Sequence, residues 1–283
     1  MKNELVSHEQ VGDVYKVIGE VSGQLVFFDF STMSLIENYP VSMAKNHVVN
    51  LSKNVKSEGE KILADVYLGT HDHESILNLA AKILSEIKIN ESTGVRFQVK
   101  NIKISENVIN TLNKKTNIDK LRKYVGYFFS SRLKNKYDVV VLPFLKDYSV
   151  SNTMSGRFSN GDIYNLKVPE PDYSFNISIK KIKKKQFKNS NMIYACQIHF
   201  TMEDTFQNSK YIDGYYHYSV PKLLLDNQEN TDDTSAYIDA IESLLDELVI
   251  QLAKPNKKWL KLHGGNNTSY DQFNAKRRLF HEK

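Results

Sequence analysis

Four adjacent residues, His71, Asp72, His73 and Glu74, carry side chains of the types that bind metals. Imidazole and carboxylate groups are suitable ligands for zinc, iron or nickel. A site centred on His71 and His73, with Glu74 as a further candidate ligand, would suit a metal-dependent hydrolase. The same segment also precedes an amphipathic helical pattern, where Asp72 can cap the helix and Glu74 can interact with its dipole. We favour the capping role and predict no bound metal or cofactor.

The densest positive charge on the chain lies between Lys180 and Lys188. Lysines at this density can neutralise phosphates or anionic lipid headgroups, with Lys183, Lys184 and Lys185 as the central contacts. A basic tail from Lys254 onward would add to such a surface. Lysine also protects sheet edges from pairing with another chain, and we favour that interpretation for this segment.

A third candidate is a tyrosine-rich strand that contains Tyr211, Tyr215, Tyr216 and Tyr218 beside His217. Tyrosines whose rings pack while their hydroxyls stay in water are typical of protein interfaces. Aromatic residues are equally common in ordinary strands. The sequence leaves both interpretations open.

Motifs of nucleophilic and phosphate chemistry are missing from the chain. It has no Gly-x-Ser-x-Gly, no phosphate-binding loop that ends in Lys-Ser or Lys-Thr, and no dinucleotide glycine pattern. The Ser-x-x-Lys spacing occurs at Ser131 and at Ser178, but the other motifs of penicillin-recognising enzymes do not accompany it. We therefore predict no catalytic residue and a protein that is not an enzyme.

Composition limits the class of protein. The chain has 283 residues, of which 41% are hydrophobic and 11% aromatic, which is typical of a globular protein rather than a disordered one. Its net charge of +5 is a mild basic excess, weaker than that of a dedicated nucleic-acid domain. Its one cysteine, Cys196, allows no internal disulfide and falls on the apolar face of an alternating strand, which predicts a core position.

The first part of the chain predicts a β-meander followed by two helices. Strand patterns cover Val14–Val21, Leu25–Phe30 and Leu35–Met43, with a turn at 22–24, and Pro40 indicates either an edge position for the third strand or the start of that strand. Helical patterns follow at 58–67 and at 74–87. We place this N-terminal domain at residues 1–92.

The second part predicts a larger sheet with helices. A half-buried strand at Val95–Ile104 is followed by a helix that Asn117 can cap, and the apolar run Val139–Leu142 then predicts a buried central strand that ends at Pro143. The polar stretch 149–172 predicts a long loop, in which Arg157 and Phe158 are candidate contacts. An antiparallel hairpin at 192–220 and a final helix at 235–253 complete this part.

These elements predict an α+β fold. A mixed or mostly antiparallel sheet with helices on one face occupies residues 93–255, preceded by the smaller meander with its two helices. Residues 256–283 form a basic tail that we expect to be loosely packed.

The organisation of residues 95–253 resembles periplasmic α/β modules of the TolB N-terminal domain, CsgG and penicillin-binding-protein activator lipoprotein type. The resemblance is carried by the strand at Val95–Ile104, the helix ending in Phe128-Phe129-Ser130-Ser131-Arg132-Leu133, the phrase Val140-Val141-Leu142-Pro143-Phe144, the hairpin and the final helix. It implies a non-catalytic, partner-binding assembly factor of the bacterial envelope. The chain departs from this pattern because it has no N-terminal cysteine for lipidation and inserts residues 149–172.

The leading hypothesis is a non-enzymatic scaffold or interaction component of a bacterial envelope or secretion assembly. Its expected partners are other proteins of the assembly, and an anionic membrane surface is a further candidate contact. Nucleic-acid or anionic-surface binding through Lys180–Lys188 and the tail is the first alternative, and a metal-dependent hydrolase at His71 and His73 is the second. The first residues lack the apolar stretch of a signal peptide, which predicts a cytoplasmic protein. A periplasmic or envelope protein from which a signal had been removed would look the same.

Overall fold

The structure, a computed structural model, describes residues 2–11, 13–70, 74–87, 94–112, 116–144, 153–157, 160–187, 191–223, 233–264 and 269–281. The strands of these ranges are β1 (Lys2–Val11), β2 (Val14–Asp29), β3 (Ser34–Asn50), β4 (Arg96–Ile104), β5 (Val140–Val141), β6 (Thr153–Arg157), β7 (Ile163–Lys167), β8 (Tyr173–Gln186), β9 (Asn191–Asp204) and β10 (Ser209–Leu223). The helices are α1 (Val55–Leu68), α2 (Ile76–Glu86), α3 (Glu106–Thr111), α4 (Ile118–Lys136), α5 (Thr234–Ala253), α6 (Lys257–His263) and α7 (Ser269–Lys276), with a 3-10 turn at Arg277–Leu279.

Two sheets of five strands each confirm the predicted α+β class. The first sheet has the order β1-β2-β3-β7-β6, and its first three strands form the predicted N-terminal meander. The second has the order β10-β9-β8-β4-β5, with antiparallel pairs between β8, β9 and β10 and parallel pairs on both sides of β4. The mixed sheet predicted for the second part is therefore present.

The helices and sheets stack in four layers. Helices α1 and α2 pack on one face of the first sheet, while α4 and α5 lie between the two sheets and contact strands of both. Because α4 has protein on two sides, even its Ser130, Ser131 and Lys134 are buried. Gly126 is required on this helix, since a Cβ there would lie 2.6 Å from the ring of Phe144.

Side-chain caps fix several helix starts. Asn54 begins α1 by accepting hydrogen bonds from two backbone N–H groups, and Gly69 ends it in the left-handed conformation with φ of 67°. The predicted cap of α4 is confirmed, because the side chain of Asn117 accepts a hydrogen bond from the N–H of Lys120 at 3.0 Å. The cap of α2 is Ser75, which accepts from Asn78 N at 3.0 Å, and not the predicted Asp72, which lies outside the described residues.

The sequence misplaced two features of the meander. Strand β2 continues through residues 22–24, where we predicted a turn, because Ser22 and Gly23 pair with β1 on one side and with β3 on the other. Strand β1, which we did not predict, supplies the first of these partners. Pro40 does lie where β3 pairs only with β2, as its missing N–H requires.

The predicted loop at 149–172 is wrong over most of its described part. Strands β6 and β7 form an antiparallel hairpin there, and β7 pairs in parallel with the start of β3 between Ser34 and Lys167. The hairpin thus joins the sheet of the N-terminal region, across the boundary we predicted at residue 92. The domain boundaries themselves stay a prediction.

The segment 139–142 is buried on both faces, as predicted, but it is not a central strand. Strand β5 has only two residues and forms the edge of the second sheet, where it pairs with β4. Val139 and Val141 belong to the large core of the second sheet, whereas Val140 and Leu142 belong to a smaller core with Leu35, Met154, Leu166 and Val168. The continuous apolar run therefore reflects two separate cores.

A buried ion pair joins the two sheets beside this segment. Lys134 of α4 pairs with Glu37 of β3, with side chains 5% and 9% exposed, and its ammonium also donates to the carbonyl of Val139 at 3.0 Å. The ammonium lies 4.4 Å from the ring centroid of Tyr39. The carbonyl of Val141 accepts from Asn38 Nδ2 at 3.1 Å, so polar bonds hold this segment against the first sheet.

Cys196 is a core residue, as predicted. Its side chain is buried on β9 and its Sγ donates to the carbonyl of Ala240 on α5 at 3.1 Å. Burial raises the pKa of its thiol to about 12.

Removing Lys134 should destabilise the fold strongly, because the carboxylate of Glu37 would remain buried without its positively charged partner. We expect Lys134→Ala to lower the free energy of unfolding by about 3–5 kcal/mol, measured by urea denaturation. The double variant Glu37→Gln with Lys134→Met should recover most of this loss, since it removes both charges. The matched control is Arg122→Ala, which removes an exposed pair with Asp119 and should cost less than about 1 kcal/mol. Equal losses for the two single variants would contradict the proposed role of the buried pair.

Candidate functional site

The outer face of the second sheet carries several of the described candidate residues, among them Tyr215, Lys183 and Lys185. Side chains of β4, β8, β9 and β10 alternate between an inner face, packed on α4 and α5, and this outer face. Cross-strand register places the outer residues in rows. They are Asn101 and Lys103 on β4, Asn176, Ser178, Lys181, Lys183 and Lys185 on β8, Gln197, His199 and Thr201 on β9, and Asp213, Tyr215, His217 and Ser219 on β10.

Hydrogen bonds between neighbouring strands order the middle of this face. Asn101 Nδ2 donates to Asn176 Oδ1 at 2.8 Å, and Asn176 Nδ2 donates to Thr201 Oγ1 at 3.1 Å. Such a chain satisfies the polar side chains without help from a covering layer. The middle of this face is therefore polar, with side chains that hold one another in place.

An aromatic pair lies at the β10 end of the neighbouring row. The imidazole of His199 stacks on the ring of Tyr215, with centroids 4.5 Å apart and planes inclined by 27°. His199 Nε2 lies 2.6 Å from Asp213 Oδ1, which fixes the orientation of the ring. Tyr215 remains 48% exposed, so the pair presents an oriented aromatic surface to solvent.

Lysines lie near His199 and Tyr215 on the part of β8 that extends beyond its pairing with β4. The pairing of β4 ends at Ile179, and beyond that point β8 pairs only with β9. Lys181, Lys183 and Lys185 are exposed there on the outer face. Lys184 points the other way and forms an ion pair with Asp233 at 2.5 Å, so it serves the fold.

The four predicted tyrosines do not form one surface. Tyr216 is fully buried against Phe200 and Phe273, so it belongs to the core and cannot contact a partner. Tyr218 is partly buried beside the imidazole of His263. Tyr211 holds the ammonium of Lys276 at 3.5 Å from its ring centroid. Tyr215 alone of the four lies exposed on the outer face.

The metal-ligand and loop candidates do not lie on the outer face among the described residues. His71, His73 and Phe158 lie outside the described residues, as does the side chain of Arg157, whose backbone pairs with Ile163 at the end of β6. Glu74 is exposed just before α2. No group of three or more potential ligands that could hold a metal occurs among the residues that the structure describes.

A second candidate site, which the sequence analysis missed, lies between the first sheet and helices α4 and α5. It is a cleft of about 270 Å³ in which Glu20 of β2, Tyr124 of α4 and Glu242 of α5 meet. The hydroxyl of Tyr124 donates to Glu242 and also interacts with Glu20. Its periphery contains Asp239 and an ion pair of Arg132 with Asp246 at 3.0 Å.

Burial shifts the protonation of this cluster toward neutral pH. It raises the pKa of Glu20 to about 8, with the charge of Glu242 as a further cause. It also raises the pKa of Glu242 to about 7, to which Asp239 and Asp246 contribute, while Tyr124 and Arg132 act in the opposite direction. The cluster can therefore hold protons that exposed carboxyls would release near pH 4.5. The sequence carries only a weak signal for this site. Glu20 is one isolated acidic residue on the strand face that also carries Ile18.

Comparisons with known proteins identify no family. No family model matches the chain, and no curated protein matches it. Among solved structures it is similar to a hypothetical protein from Chlamydia trachomatis, with 10% identity, a TM-score of 0.35 and coverage of 56% of this chain and 96% of that one.

Two further structures cover 56% of this chain at 9% identity. They are a minor lipoprotein from Acinetobacter baumannii, with a TM-score of 0.29 and 91% of its chain covered, and a DUF330 protein from Xanthomonas campestris, with a TM-score of 0.26 and 82% covered. A bacterial lipoprotein is thus among the similar structures, but these descriptions do not name TolB, CsgG or the activator lipoproteins. Scores of this size carry no argument about function. Within the described residues, no helix has the length and hydropathy needed to cross a bilayer.

The Glu20 cluster should make stability depend on pH near neutrality. Because the pKa of Glu20 is raised on folding, the folded state is favoured most below pH 4.5 and loses this stability as pH rises toward 8. We expect Glu20→Gln to match the wild type at pH 5 and to exceed its unfolding free energy by about 2 kcal/mol or more at pH 9, measured by urea denaturation. Glu58 of α1, whose carboxylate pairs with Lys61 at 2.7 Å, is the control, and Glu58→Gln should show no such gain at pH 9. A Glu20→Gln variant with the same pH profile as the wild type would contradict a buried, protonated Glu20.

Proposed function

We propose that the chain is a non-enzymatic interaction protein that binds a protein partner through the outer face of its second sheet. The observation that carries this proposal is the exposed Tyr215 ring, stacked on His199 and held in place through Asp213. Tyrosine in a fixed orientation supplies a large contact area at a low entropic cost, which is why it is enriched among the residues that dominate binding energy.

The positive charge near His199 and Tyr215 indicates what kind of partner surface would be complementary. Lys181, Lys183 and Lys185 lie along one edge of the face, and Lys103 lies in the same row as His199 and Tyr215. A partner with acidic groups around an apolar or aromatic centre would match this arrangement. Membership of a bacterial envelope or secretion assembly, and an envelope location, remain part of this proposal.

The nucleic-acid alternative has less support. Of the three central lysines of that hypothesis, Lys184 is engaged with Asp233 and only Lys183 and Lys185 face outward. A platform for bases also requires several aromatic rings on which successive bases stack, and the outer face presents Tyr215 with the imidazoles of His199 and His217. The hydrolase alternative depends on His71 and His73, so the described residues do not support it.

The proposal is tested by capture of partners from the cells that produce the protein. Wild type, Tyr215→Ala and the control Phe30→Ala are each used as bait, and partners are quantified by mass spectrometry. Phe30 is an aromatic residue, 68% exposed, in the turn between β2 and β3. A partner retained by wild type and Phe30→Ala should be lost with Tyr215→Ala. With the purified partner, Tyr215→Ala should weaken binding about tenfold or more.

Charge reversal separates the two kinds of partner. Changing Lys181, Lys183 and Lys185 to Glu should slow association with the protein partner, whereas the same change at the exposed Lys53, Lys56 and Lys258 should not. Binding of all variants to a single-stranded oligonucleotide is measured in parallel. Tight oligonucleotide binding that only the first triple variant loses, with no protein partner captured, would overturn the proposal in favour of nucleic acid.

A further inference from the structure

Strand β1 is the outermost strand of the first sheet among the described residues, and the edge that does not pair with β2 faces a groove. The groove has a volume of about 430 Å³ and is lined by five consecutive residues of β1, Glu4, Leu5, Val6, Ser7 and His8. Because consecutive side chains of a strand point to opposite faces, a cavity that touches all five must lie along the strand's edge. These residues span roughly 14 Å, the length of a short extended segment.

The register of β1 determines which of its backbone groups face the groove. Val11 pairs with Val14 across a two-residue turn, and the flanking pair of such a hairpin exchanges its backbone hydrogen bonds. Alternate residues follow the same pattern, so Leu5 and Ser7 bond to β2 whereas the N–H and C=O groups of Val6 and His8 point outward. No described strand pairs with them on that side.

The walls of the groove are the two helical layers that cover the first sheet. Leu63 of α1 lies on one side, and Thr116, Asn117 and Lys120 at the start of α4, with Thr234 and Ile238 at the start of α5, lie on the other. An additional strand beside β1 would therefore lie between α1 on one face and α4 and α5 on the other, as β1 and β2 do. Leu5, Leu63 and Ile238 would give it an apolar environment.

The charge of one wall is positive. Lys120 is exposed and forms no ion pair with any residue that the structure describes. The first turns of α4 and α5 add the positive ends of two helix dipoles on the same side. A ligand strand with a carboxylate at this point would be electrostatically complementary to the groove.

We propose that an extended, acidic segment of a partner protein binds in this groove as an additional strand on β1. Its backbone would bond to the outward groups of Val6 and His8, and its carboxylate would approach Lys120. This site is separate from the outer face of the second sheet, and neither proposal requires the other.

The test uses a phage-displayed library of 12-residue peptides as the probe, selected on the whole chain and followed by fluorescence anisotropy with synthetic copies of the selected peptides. Val6→Pro removes the outward N–H while leaving the bonds of Leu5 and Ser7 to β2, and an edge strand tolerates proline. Val6→Thr, which keeps the N–H, is its matched control. Lys120→Glu reverses the charge of the wall, and Lys123→Glu, also exposed on α4 but not part of the groove, is the matched control.

We expect the selected peptides to contain acidic residues and to bind wild type and both controls equally. Val6→Pro and Lys120→Glu should each weaken binding about tenfold or more, and bound peptide should slow hydrogen exchange of the Val6 and His8 amides. If Val6→Pro fails to fold, Lys120→Glu and the exchange measurement decide. The proposal is overturned if no peptide is selected, if binding is insensitive to Lys120→Glu, or if exchange slows elsewhere and not in β1. Tyr215→Ala should bind the peptides like the wild type, which separates this outcome from that of the proposed function.

Discussion

The buried pair of Lys134 and Glu37 is the contact on which the junction of the two sheets depends. It lies where α4, the start of the first sheet's third strand and the segment 139–142 meet. Each of these charges is stable away from water only beside the other, so the helix, the strand and the segment must bring the two side chains together. The apolar residues of 139–142 then fill the cores on either side of it.

Polar groups occur at a second junction of the same layers. Glu20, Tyr124 and Glu242 come from three elements and share a cleft between the first sheet and the central helices. The first junction pairs opposite charges, whereas the second brings acids together and depends on protonation to avoid repulsion. The central helices thus meet the first sheet at two polar junctions, one formed by opposite charges and one formed by carboxyls whose pKa is raised toward neutral pH.

The sequence predicted most of what depends on local pattern. The cap of α4, the alternation that buries Cys196, the long α5 and the α+β class all follow from periodicity and from residues at helix ends. The sequence-based prediction was wrong where pairing with a segment distant in the chain determines the local structure. The hairpin at 153–167 is polar and irregular by itself, and it becomes regular because β7 meets the start of β3.

Prediction of which single residues are buried failed for the same reason. The run 139–142 predicted neighbouring strands on both sides, but two cores produce the same pattern. Tyr215 and Tyr216 have the same side-chain type, and the strand's alternation places one in solvent and the other in the core. Glu20 and Glu242 are far apart in sequence, so only the fold brings them together. A candidate surface could therefore be located to a strand from the sequence, but not to a residue.

The parallel contact of Ser34 with Lys167 has a consequence for how the chain reaches this state during synthesis. The first sheet begins within the first fifty residues, yet its last strands are made more than a hundred residues later, and α5, which covers part of its inner face, later still. A ribosome adding about 5–20 residues per second would leave the meander's inner face, which includes Leu5, Ile18 and Glu20, uncovered for several seconds before the central helices arrive. Assembly through such non-local contacts is slow, and the emerging meander is a natural substrate for chaperones that hold unfinished chains.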